Sequence, residues 1–138
     1  MRKGITIIAA VLGGMVLASV LLVVLYYFSA FKTLNLMVQT ANDGDSISFE
    51  GNEIVSKEDF LALQTIAPID ENVSYYVNGG ASYKIRKLHG KSISFVCSPH
   101  YTAMTGDGEV LQAGNTTPLL VSMEFCDFKW KIVAVSPE

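Results

Sequence analysis

From Ile5 to Phe28 the chain has no charged residue, and Thr6, Ser19, Tyr26 and Tyr27 are its only polar side chains there. That absence excludes a surface helix of a soluble domain, which would carry a polar face along one side. Twenty-four helical residues reach roughly 36 Å, enough to cross a hydrocarbon core of about 30 Å with some tilt. The reading is a membrane span. Small residues are equally scarce at its end, where only Ser29 and Ala30 are present. Cleavage after either would put Tyr27 or Phe28 at the −3 position, and the run is much longer than a signal-peptide core, so an uncleaved anchor is expected. No cysteine lies near the span, which excludes a lipoprotein anchor. Proline is rare and no Gly/Ser or Pro linker follows the apolar run, which argues against a long tether.

Other scarcities bound the chemistry. Two histidines and scattered acids offer no spacing of a nucleophile, base and orienting group, and no glycine loop is placed to cradle phosphate. No catalytic residue is therefore assigned, and neither a cofactor nor a small-molecule substrate is inferred. Cys97-Ser98-Pro99-His100 has the spacing of a two-ligand clip, but the paired ligand clusters of zinc sites are missing and no metal is assigned. Asp43-Gly44-Asp45-Ser46 departs from the calcium-loop pattern at Ile47, where an oxygen ligand is needed. From Thr33 onward seven basic residues face thirteen acidic ones, a net charge of −6. That acidity excludes general nucleic-acid binding, which needs phosphate-neutralising positive charge.

Arg2 and Lys3 precede the span and only Lys32 closely follows it. The positive-inside rule then places the N-terminus in the cytoplasm and the remainder outside, in the periplasm or the extracellular space. The expected organisation is a tail at 1–4, the anchor at 5–28, an amphipathic stalk at 29–45 and an exported domain at 46–138. Cys97 and Cys126, both on the exported side of this scheme, are expected to pair as one disulfide in an oxidising compartment. Cys126 has the opposite parity to Phe125, so that bond would need a bulge or bend near Asp127.

Within the domain, Phe31, Leu34, Val38 and Ala41 recur at helical spacing opposite Lys32, Asn35, Gln39 and Asn42, and Gly44 supplies a stop. Ile47 and Phe49 alternate as a short strand ahead of a Gly51-Asn52 turn. A second helix opens with Ser56 as N-cap, Asp59 as capping-box acid, and Val55 and Phe60 as a hydrophobic staple; Leu63, Ile66 and Ala67 extend its apolar side to Pro68. Strands follow. Val73, Tyr75 and Val77 lead to a hairpin turn at Asn78-Gly79, and Tyr83 and Ile85 lead to a turn at His89-Gly90. Ile93, Phe95 and Cys97 run to an interruption at Ser98-Pro99, and Gly106-Asp107-Gly108 turns again. Leu119, Val121, Met123 and Phe125 form one late strand, and Phe128, Trp130, Ile132 and Ala134 another. The fold class is α+β: a transmembrane helix continuing into a short stalk, then one helix packed on a curved antiparallel sheet.

Two clusters point to partners rather than reactions. Ala10, Gly14 and Ala18 form a small-residue stripe that would let a second membrane helix, from another subunit or another copy, approach closely; Gly and Ala are also simply common in such helices. Lys84, Arg86, Lys87 and Lys91, with His89, cluster on one hairpin, and no acidic residue occurs between Asn72 and Gly106. They read either as a patch for an anionic partner or as charges guarding a strand edge.

The closing Phe128-Lys129-Trp130-Lys131-Ile132-Val133-Ala134-Val135 resembles the last strand of nuclear-transport-factor-2-like domains. The layout of short tail, one span and external domain is similar to the membrane-anchored assembly subunit of type IV secretion systems. That resemblance implies a bent antiparallel sheet preceded by helices, and a role in a cell-envelope assembly. Lys3-Gly4-Ile5-Thr6 ahead of a long apolar helix resembles the processing site of type IV pilins, although Ala9 stands where bacterial pilins carry a glutamate. The expectation is a non-catalytic membrane-anchored subunit acting by protein–protein binding. A pilin-like filament subunit processed after Gly4 is the second reading, and a small membrane-tethered enzyme the third.

Overall fold

The computed structural model describes residues 2–42, 49–64 and 71–138. Helix α1, Arg2–Asn42, runs unbroken for 41 residues, or roughly 62 Å at 1.5 Å per residue. It is long and apolar enough to cross a membrane, and the side chains of its N-terminal half stand exposed. The short helix α2 spans Lys57–Ala62. Five antiparallel strands follow: β1 Tyr75–His89, β2 Ser92–Met104, β3 Val110–Asn115, β4 Leu119–Cys126 and β5 Lys129–Pro137. The sheet order is β1-β2-β4-β5, with β3 also on β2. β2 is long enough to take two partners in succession on one side. Its first half, Ser92–Cys97, pairs with β4, and its second half, His100–Met104, pairs with β3.

The expected stalk is not a stalk. Ala30, Leu34, Met37, Val38 and Ala41 are buried at helical spacing, and they form one layer of the core. Opposite them lie Ile93, Phe95 and Cys97 from β2, Val121 and Met123 from β4, and Trp130 and Ile132 from β5. Asn35 and Asn42 do not face away from this contact, as their spacing suggested, but flank it. Asn35 accepts a hydrogen bond from the Tyr83 hydroxyl (3.0 Å), and Asn42 donates to the Leu63 carbonyl (3.1 Å). The helix therefore enters the domain directly. Gly44, Ile47, Ile66, Ala67 and Pro68 lie outside the described residues.

α2 starts as its sequence dictates but is shorter than expected, ending at Ala62 with Leu63 as C-cap rather than running on to Pro68. The Ser56 hydroxyl accepts from the Asp59 amide (3.1 Å), and Val55 and Phe60 are both buried. Phe60 stacks on Phe49, and the Asp59 carboxylate accepts the Val135 amide (3.1 Å), which ties α2 to β5. Ahead of it the Asn52 side chain accepts from the Ile54 and Val55 amides, closing the turn at Gly51, whose φ is +93°.

Three strand expectations need correction. Asn78-Gly79 is not a hairpin turn: β1 runs on through it, and the register shift between Asn78 and Ala81 absorbs the extra residues as a bulge, with Gly80 at φ +83°. Ser98-Pro99 does not end β2. Pro99 lies opposite Ala81 beside that same bulge, where the ladder is already disturbed and a missing amide costs little. Phe128 is not a strand residue but sits in the β4–β5 turn, and an extra residue in β5 between Ile132 and Ala134 makes Val135, not Ala134, the next residue packed on the core. Strand β3 carries no such pattern and was not expected; its side chains are largely exposed.

The expected disulfide is also absent. Cys97 pairs with Leu119 at the start of β4, whereas Cys126 ends that strand seven residues on. That separation is roughly 23 Å at about 3.3 Å per residue, far beyond the ~7 Å between Cα atoms that a disulfide can span. The two side chains also leave the sheet on different faces. Both are free thiols, Cys97 buried and Cys126 exposed. Spacing in sequence gave no information on which end of β4 each occupied.

Candidate functional site

Two ends of the sheet carry the features that could act on a partner. At the near end, α1 and the sheet are joined by aromatics. Tyr26 packs against Phe125 and Trp130 with ring centroids 4.9 and 5.0 Å apart. The Trp130 indole donates to the Tyr26 carbonyl (3.0 Å), and the Tyr27 hydroxyl donates to the Gly90 carbonyl (2.9 Å). The β1–β2 turn at Gly90 and the β4–β5 turn at Asp127-Phe128 therefore lie at the level of Tyr26 and Tyr27, the close of the uncharged run. The Phe125 amide, bonded to the Lys91 carbonyl (2.8 Å), sets the two turns side by side.

Between α1 and the β1–β2 hairpin runs a groove of about 570 Å³, lined by Val23, Val24, Phe28, Ile85, Leu88 and Phe95, among other apolar and aromatic residues. The same hairpin carries the basic residues that the sequence singled out. Lys84, Arg86, Lys87 and Lys91 are all exposed, with Arg86 at the second register shift of β1. They share one hairpin but not one face. Lys84 and Lys87 lie opposite Val96 and Ser94, on the side of the sheet away from α1. There Lys87 and His89 border a depression of about 240 Å³ with Ser94, Ser122 and Glu124, and with Ile93, Met123 and Val133. The Ser94 and Ser122 hydroxyls are 3.4 Å apart. Two acidic residues of this end are paired: Asp127 with Lys131 (3.1 Å) and Glu53 with Lys129. The hydrogen bonds from those lysines hold both carboxyls below their usual range, and the bond that Lys131 donates to Asp127 raises Lys131 in turn.

At the far end, the start of β1, the second half of β2 and all of β3 form a three-stranded flap. β2 measures roughly 40 Å over its thirteen residues, and the flap lies past the Ala30–Ala41 contact. Tyr75, Tyr76, Val77, Val110 and Leu111 are exposed on it, the last two at 62% and 47%. Nothing in the local sequence marked this surface, because an exposed Val or Leu in a strand reads like a buried one.

Ala10, Gly14 and Ala18 project from the exposed half of α1; a Cβ built on Gly14 meets nothing within 4 Å. Counting about 100° per residue, this stripe points to the side of α1 opposite the buried Ala30, Leu34 and Val38. Among the described residues, no three His, Cys, Asp or Glu side chains gather as a metal-binding group. The Cys97 thiol is buried among core side chains, which pushes its pKa up to about 12, while His100 bonds Asn115 at the edge of the flap. Burial likewise raises the Tyr83 phenol, followed by the neighbouring Cys97. No family model, no curated protein and no solved structure matches this chain.

Proposed function

We propose that this protein is a non-catalytic, single-pass membrane-anchored subunit of a cell-envelope or surface assembly, working by protein–protein binding. The supporting observation is the division of one structure into two ends. The uncharged half of α1 is the anchor, and its second half is a core layer of the domain, so the flap is held at a fixed height and azimuth above the bilayer. A domain placed so rigidly presents a surface; it does not search for one. The exposed Tyr75, Tyr76, Val77, Val110 and Leu111 are apolar and aromatic residues of the kind that form interface centres. The Arg2 and Lys3 bias orients the flap outward, and that argument stands without the disulfide.

The test is recovery of partners from membranes in mild detergent with Leu111→Asp beside the unaltered chain. Loss of a co-purifying protein, with the domain still folded, supports the reading. Undiminished recovery with both Leu111→Asp and Val110→Asp refutes the flap as the contact. A pilin-like subunit is the second reading, favoured by the unbroken 41-residue helix half sunk in a sheet. A purified chain whose intact mass lacks Met1–Gly4 would establish processing and replace the first reading.

A further inference from the structure

We propose that the near end of the domain is a lipid-docking edge: the groove beside α1 takes an acyl chain of the surrounding bilayer, Phe128 inserts at the interface, and Arg86, Lys87 and Lys91 face anionic headgroups. This rests on the anchor reading above and extends it from the helix to the domain. The occupant follows from continuity. Val23, Val24 and Phe28 form one wall of the groove and belong to the span itself, so the lipid tails that solvate the helix have direct access to the groove. The other wall, with Ile85 and Leu88 at 57% and 49% exposure, is apolar on a hairpin whose tip is bonded to Tyr27.

Phe128 is the second, independent sign. It is 98% exposed, and with Asp127 it adopts positive φ, +61° and +54°. A bulky non-glycine residue in that region is uncommon and strained. In water such a turn would gain nothing by presenting a phenyl ring. At the depth of Tyr26 and Trp130 it meets the membrane interface, where aromatic rings are favoured. Charge agrees: Lys129 and Lys131 pair with Glu53 and Asp127, which leaves Arg86, Lys87 and Lys91 against Glu124 at this edge. Lysines near a membrane surface are attracted to anionic lipid.

The experiment uses the full chain in nanodiscs of phosphatidylcholine with phosphatidylglycerol as the minor lipid. The photoreactive p-benzoylphenylalanine replaces Leu17, Leu88, Phe128 or Leu111 in turn, and adducts are read by intact mass. Leu17 reports the anchor, and Leu111 on the flap reports background. Lipid adducts at Leu17, Leu88 and Phe128 but not at Leu111 are expected. Phosphatidylglycerol should be enriched at Phe128 roughly threefold over its share of the lipid, and the enrichment should vanish with Lys87→Gln and Lys91→Gln together. A lipid adduct at Leu17 with none at Leu88 or Phe128 overturns the docking edge and leaves the anchor standing. Adducts from those two positions to a second copy or another protein overturn it as well. No lipid adduct even at Leu17 overturns the anchor reading, and this inference falls with it. Unchanged lipid proportions at Phe128 overturn the headgroup assignment.

Discussion

If α1 is a layer of the core rather than a tether, truncating its buried side must unfold the domain, and truncating its exposed side must not. Leu34 and Leu36 make the comparison on one turn of one helix: Leu34 is fully buried and Leu36 is 55% exposed. Leu34→Ala removes a side chain enclosed by sheet residues. It should cost about 3 kcal/mol, within the roughly 2–5 kcal/mol range for buried leucines, because lost transfer energy and the residual cavity add. Leu36→Ala should stay within about 0.5 kcal/mol. With a urea dependence of about 1.2 kcal/mol per molar for a small domain, the buried substitution lowers the midpoint by roughly 2.5 M. The reporter is built in: Trp130 is the sole tryptophan, is 2% exposed, and packs on Tyr26, so its emission follows separation of sheet from helix. The measurement is urea unfolding of the full chain in a non-ionic detergent. Equal and small shifts for both variants would refute the claim that helix and domain fold as one body, and the fixed placement of the flap would go with it.

Other outcomes follow from the same contacts. In the native, non-reduced chain one thiol should alkylate, at Cys126, and the second only after denaturation; two unreactive thiols would restore the disulfide, and two reactive ones would contradict the burial of Cys97. Cys97 is held protonated up to about 12 against an ordinary 9.0, so between those pH values the unfolded chain has lost a proton that the folded chain keeps. Stability should therefore be insensitive to this group below pH about 9 and fall as pH rises toward 12. Cys97→Ala should flatten part of that decline, and an unchanged slope would show that Cys97 is not its source. Asp59→Ala removes the acceptor of the Val135 amide and a capping partner of Ser56, and should cost about 1–2 kcal/mol by thermal or urea unfolding; Asp59→Asn should recover most of it. Gly14→Leu should weaken association in the membrane by about 1–2 kcal/mol with the domain intact, whereas Val16→Leu on the other side of α1 should not. A Förster-transfer assay between labelled chains in vesicles reads both.

What was legible in the sequence was whatever periodicity and local chemistry encode. The uncharged run announced α1, the Ser56–Asp59 spacing announced α2, and the alternations around Phe95, Met123 and Trp130 announced the central strands and their inward faces. What was not legible depended on pairing partners. Asn78-Gly79 has the composition of a turn, yet β2 offered a ladder on both sides of it, and pairing both halves of β1 outweighed the local preference for reversal. The cysteines misled for the same reason: parity could be counted along β4, but which end of β4 meets Cys97 is set by the register of β2. Phe128 looked like the first residue of a strand because nothing in Asp127-Phe128 carries the glycine that such a turn normally uses. The flap was invisible because β3 lies on the far half of β2 and buries little, so no alternation was imposed on it.

The arrangement of surfaces around α1 ties the two proposed activities together. The sheet packs on the Ala30–Ala41 side and the Ala10, Gly14 and Ala18 stripe faces the other way. A second membrane helix docked on the stripe would therefore approach α1 from the side away from the chain's own domain. Because residues 2–42 form one rod and no flexible segment intervenes before the core, such docking would also fix the rotation of the domain about the helix axis. The flap would then point in a direction set by the membrane contact, while the proposed lipid-facing edge would set its tilt. Three surfaces at three azimuths on one rod can constrain a partner's position in the plane of the membrane. A flexibly tethered domain with the same contacts could supply affinity but not that geometry.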